Sequence, residues 1–138
     1  MSKSPNRLLG VIFGVVYLLI GVLGFFITSG TGFIATSGPK LVGLFAVNPL
    51  HNVAHLIIGA AVLIAALSGT RAAKSVNTTI GAVYLLLGIV GLFIANGDNP
   101  LNILALNSAD NVLHFATAVV LLAVGLGADR SVRAAKTA

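Results

Sequence analysis

Three histidines and one carboxylate stand out in a chain otherwise poor in reactive groups. His51 and His55 are four residues apart, as are Asp110 and His114, so on a helix each pair shares a face. Three imidazoles and a carboxylate make a donor set for tetrahedral zinc or another transition metal. Alternatively, His55 and His114 occupy matching positions in two similar segments and could be the axial pair of a haem between helices. A third reading needs no ligand. Asn48 and Asn107 sit where N-caps belong, and Pro49 follows at the favoured first helical position. Asp110, three residues after Asn107, suits a capping box at the positive end of a helix dipole. Asn52, Asn111, His55 and His114 would then bind loop carbonyls and tie the loops down. This capping and polar network is the preferred reading. No resident cofactor is expected, with zinc or haem b the alternative. No nucleophile–base pair and no acid pair is recognisable, so the chain is not expected to be an enzyme.

The elements that position these residues are membrane helices. Of the 138 residues, 57% are hydrophobic and 8% charged, against roughly 25% charged in soluble domains. Four apolar stretches carry the excess: Leu8–Thr28, Pro49–Ser68, Thr78–Ala95 and Ala109–Ala128. Each approaches the roughly 20 residues that cross a ~30 Å hydrocarbon layer as a helix. None shows the alternation of a barrel strand, and a helix satisfies its own backbone where lipid cannot. The first stretch is longer than a signal-peptide core and lacks a clear cleavage site.

Net charge is +5, and its distribution speaks for topology rather than nucleic-acid binding. Lys3 and Arg7 precede the first span, Arg71 and Lys74 separate the second and third, and Arg130, Arg133 and Lys136 follow the fourth. Lys40 alone falls in an opposite loop. The positive-inside rule therefore predicts both termini in the cytoplasm, with the histidines at the outer ends. The outer loops, Ser29–Asn48 and Asn96–Asn107, are rich in Phe, Ile, Leu and Val. They are expected to fold over the bundle end, lie in the interface or meet a partner.

The chain also reads as a duplication. Gly14-Val-Val-Tyr17-Leu-Leu-Ile-Gly21-Val-Leu-Gly24-Phe-Phe-Ile27 matches Gly81-Ala-Val-Tyr84-Leu-Leu-Leu-Gly88-Ile-Val-Gly91-Leu-Phe-Ile94 without a gap. Asn48-Pro-Leu-His51-Asn52-Val-Ala-His55 matches Asn107-Ser-Ala-Asp110-Asn111-Val-Leu-His114. Two tandem two-helix repeats, residues 1–74 and 75–138, would enter the membrane in the same orientation and share one structural domain. The fold expected is all-α, an integral membrane four-helix bundle with N-in/C-in topology. Gly10, Gly14, Tyr17, Gly21 and Gly24 line one helix face, and Gly81, Tyr84, Gly88 and Gly91 repeat it. In lipid such small-residue stripes permit close helix packing. The two stripes are expected to face each other, or a second subunit, with each tyrosine hydroxyl needing a partner.

The Tyr-Leu-Leu-x-Gly helix, together with Val47-Asn-Pro-Leu-His-Asn-Val-Ala-His55, resembles a bacterial membrane family catalogued as domain of unknown function 4383. Asp110-Asn111-Val-Leu-His114 resembles its second, more divergent half. The resemblance implies a four-helix inner-membrane protein and brings no activity with it. The function expected is that of a non-catalytic accessory or scaffold subunit in a larger membrane complex. Its partners would be the bilayer and other membrane subunits or a second copy. A metal- or haem-binding membrane protein is the alternative. A transporter is disfavoured because the central spans carry no charge.

Overall fold

A computed structural model describes residues 3–96 and 98–131; Arg133 and Lys136 lie outside them. Four helices, each long and apolar enough to cross a membrane, account for most of the chain. They are α1 (Pro5–Ile27), α2 (Pro49–Ser68), α3 (Thr70–Ile94) and α4 (Ser108–Gly127). The shortest have 20 residues, about 30 Å at 1.5 Å per residue. Ser4 caps α1, its hydroxyl accepting from the Arg7 backbone N–H, and Pro5 opens the helix.

The packing is inverted relative to a soluble bundle. Buried positions on the helices are filled by Gly, Asn, His, Tyr and Ala, whereas Ile, Leu, Val and Phe crowd the exposed faces. Water would penalise such a surface, and hydrocarbon would not. The chain is therefore described as a small multi-pass membrane protein.

Helices α1 and α2 pack along their length as one hairpin, and α3 and α4 as another. The glycine stripes lie inside these hairpins. A Cβ on Gly14 would meet Leu63 at 2.6 Å and one on Gly21 would meet Leu56 at 2.7 Å; on Gly81 and Gly88 it would meet Leu122 and Phe115. The expectation that the two stripes face one another is thus corrected. A stripe admits one backbone closely, and the adjoining helix of the same hairpin takes that place. What meets across the bundle is the pair of large rings set in the stripes, Tyr17 and Tyr84.

Helix α3 begins at Thr70, well before the expected Thr78. Residues 70–77 contain no helix breaker, so the stretch read as a loop is the first two turns of α3. Gly69, with φ of 145°, is the single residue between α2 and α3. The long loop before α2 contains a feature not anticipated from sequence, a short antiparallel hairpin of β1 (Lys40–Leu41) and β2 (Phe45–Ala46). Three residues, Val42, Gly43 and Leu44, connect the strands, and Val42 and Gly43 both have positive φ.

Candidate functional site

The histidine end of the bundle is organised by its N-caps. Asn48 Oδ1 accepts from the His51 backbone N–H at 2.8 Å, and Asn107 Oδ1 accepts from the Asp110 N–H at 2.9 Å. The Asp110 carboxylate accepts in return from the Asn107 N–H at 3.0 Å, closing the capping box. The same asparagines reach across the bundle end. Asn48 Nδ2 donates to Ala35 O and Ile103 O, and Asn107 Nδ2 donates to Leu44 O. Each cap thus binds the loop of the other hairpin.

The loop-tying role expected of Asn52 and Asn111 falls instead to these caps and to Asn102. Asn102 Oδ1 accepts from Leu106 N–H, and its Nδ2 donates to Leu106 O. Asn52 turns into its own hairpin and donates to the Thr28 hydroxyl at 3.0 Å. Its Oδ1 has no N–H or O–H donor among the described residues and lies against Gly24. Asn111 Oδ1 lies against Gly91 in the same way. A glycine Cα–H is the contact this geometry offers each oxygen.

Beneath the caps, five rings form a closed circuit. Centroids are 4.5 Å apart for His51–His55, 5.6 Å for His55–Tyr17 and 5.9 Å for Tyr17–Tyr84. The circuit returns through Tyr84–His114 at 5.3 Å and His114–His51 at 6.2 Å. All five rings are buried. Tyr17 Oη and Thr117 Oγ1 share a hydrogen bond of 3.1 Å. The Nδ1 atoms of His51, His55 and His114 are buried without a partner among the described residues. The three histidines and Asp110 line a cavity of about 40 Å³, roofed by Leu41, Phe45 and Val47. That volume admits about one to three waters, whereas cofactor pockets are on the order of 300 Å³ or more. Among the described residues, no three His, Asp or Glu side chains converge as metal ligands; Tyr17 stacks on His55 and Tyr84, and the other ring pairs are tilted.

The basic end carries a second polar network that sequence reasoning missed. Asn77 Nδ2 donates to Asn6 O and Asn6 Oδ1, while Asn6 Nδ2 donates to Val124 O and to Asp129 Oδ2 at 2.8 Å. The Ser4 hydroxyl and Asn6 N–H also donate to Asp129 Oδ2. Partial burial alone would raise the Asp129 carboxyl, but the Asn6 and Ser4 hydrogen bonds and nearby Lys74 hold it below its ordinary value. Arg7 Nε and Nη2 donate to Ala66 O and Leu67 O at the end of α2, and Lys74 Nζ donates to Ala128 O after α4. These cations satisfy carbonyls that a helix end leaves open. Asn6 precedes the apolar run Leu8–Thr28, so nothing in the local sequence marked it.

No curated protein and no solved structure matches the chain. The family model described as domain of unknown function (DUF4383) matches residues 7–127. That match runs from the first turn of α1 to the last residue of α4, and the chain belongs to the DUF4383 family.

Proposed function

We propose that the protein is a non-catalytic accessory or scaffold subunit of a larger complex in the bacterial plasma membrane, with both termini cytoplasmic. The observation that carries this reading is the surface of the loops at the histidine end. Val42 is 79% exposed and Leu101 72%, with Phe33, Ile34 and Leu44 also exposed. Apolar side chains presented beyond the spans suit a protein partner. The bundle interior, by contrast, is occupied by polar groups that hold helices and loops together.

The tandem-repeat reading draws support from matched contacts. Gly24–Asn52 corresponds to Gly91–Asn111, the Asn48 cap to the Asn107 cap, and Arg7 at the end of α2 to Lys74 after α4. The orientation rests on charge: Arg7, Arg71, Lys74 and Arg130 gather at one end.

Extraction in a mild detergent, followed by native electrophoresis and mass spectrometry, tests the role. A defined larger assembly is expected, and a solitary monomer with no partner overturns the reading. Orientation is tested with Ser37→Cys and Ser75→Cys variants and a membrane-impermeant maleimide on intact cells. Ser37→Cys should react and Ser75→Cys should not.

A further inference from the structure

The two seams between hairpins differ. Helices α2 and α3 are drawn together at Gly69, whereas α1 and α4 touch far less. Between α1 and α4 runs a groove of about 260 Å³ at span depth, bordered by Ile12, Val16 and Ile20 on one side and Leu113, Ala116 and Val120 on the other. Its length along α1, from Ile12 to Ile20, is about 12 Å at 1.5 Å per residue. The sequence itself opens this groove. Ala116 and Thr117 of α4 stand where the matching segment of α2 has Ile57 and Ile58. Tyr17 and Thr117 also line it, and their hydroxyls satisfy each other.

The groove continues toward the histidine cavity. Ile20 and Leu113 line both spaces and form a partition between them. Behind that partition are His51, His55 and His114, each more than nine-tenths buried and each with an unpartnered Nδ1. An apolar groove the length of a lipid-chain segment thus lies beside a small, largely apolar chamber edged by three imidazoles with unmet hydrogen-bonding capacity.

We propose that the α1–α4 seam binds a single-chain lipid, with its tail in the groove and a compact hydroxyl or carboxyl head among His51, His55 and His114. The cavity of about 40 Å³ has room for no more than a few water-sized groups, which limits the head to that size. A phosphate head is too large. The buried, largely apolar lining favours a neutral head, an alcohol or a protonated acid, over an anion. Entry requires Ile20 and Leu113 to change rotamer, and the groove itself opens sideways to the bilayer.

The test is photocrosslinking of the full chain in nanodiscs with diazirine-bearing hexadecanol, palmitic acid and phosphatidylcholine. The first two probes distinguish the alcohol from the acid. Adducts from one or both should concentrate on the peptides spanning 12–20 and 113–120. Unlabelled probe of the same class should compete, and phosphatidylcholine should not. Ala116→Ile, which installs the residue of α2, should lower this labelling at least about fivefold, as should His55→Asn. Val120→Phe obstructs the same groove from its exposed rim and serves if Ala116→Ile does not fold. Labelling spread evenly over all lipid-facing helix surfaces, equal competition by phosphatidylcholine, or indifference to well-folded groove variants would overturn the proposal.

Discussion

Gly24 presents its bare Cα to the side-chain oxygen of Asn52, so closely that a Cβ there would overlap Oδ1. Gly91 and Asn111 repeat the relationship in the other hairpin. A buried amide oxygen with no conventional donor needs this contact, and the glycine needs the amide to fill its groove. Gly24→Ala and Gly91→Ala are each expected to destabilise the protein by about 1–3 kcal/mol, the usual range for overpacking. Gly127, with nothing within 4 Å of its would-be Cβ, is the control. Thermal unfolding in detergent should leave Gly127→Ala near wild type and lower both other midpoints.

The Tyr17–Thr117 hydrogen bond joins the two hairpins at span depth. Interhelical hydrogen bonds in membranes contribute on average about 0.6 kcal/mol, because the separated helices find other partners. A double-mutant cycle with Tyr17→Phe and Thr117→Val should return a coupling of about that size. Zero coupling would mean that the hydroxyls do not meet.

Removing an N-cap should do more than fray a helix here. Asn48→Ala loses the cap of α2, about 1 kcal/mol, and also both bonds from Nδ2 to the loops. Hydrogen exchange should therefore rise in residues 33–47 and 102–106 together. A rise confined to the first turn of α2 would show that the loops hold without it.

Asp129 makes the stability of the basic end depend on pH. Its carboxyl is held below the ordinary value in the folded protein, so the unfolded chain binds a proton more readily. The resulting stabilisation is present above the unfolded value of about 3.9 and is lost as pH falls through the lower folded value. Comparing wild type with Asp129→Asn should show a stability difference that is constant near neutrality and shrinks below about pH 4. A difference that grows with acidity would reverse the assignment.

Much of this architecture was readable because it is periodic or local. The spans follow from apolar runs, and the Asn48 and Asn107 caps follow from residues within one turn of each other. The Asn107–Asp110 box needed nothing beyond i, i+3 spacing. The partner of each glycine stripe was not readable in that way, since a small face declares that something comes close but not which helix. The Asn6–Asn77–Asp129 network escaped for the same reason: residues far apart in sequence meet through helix packing. Thr70 as the start of α3 was obscured by charge. Arg71 and Lys74 suggested a loop, whereas their side chains project from a continuous helix.

The single-residue link at Gly69 leaves the basic end without a flexible stretch between the second and third spans. Proteases cut at extended, mobile loop tips, and here the backbone passes from one helix directly into the next. A protease confined to that side should leave the two hairpins joined, while one acting at the other end finds the Ser29–Val47 connection. Between the spans, the backbone offers a protease its loops at the histidine end, while the basic end offers side chains on continuous helix.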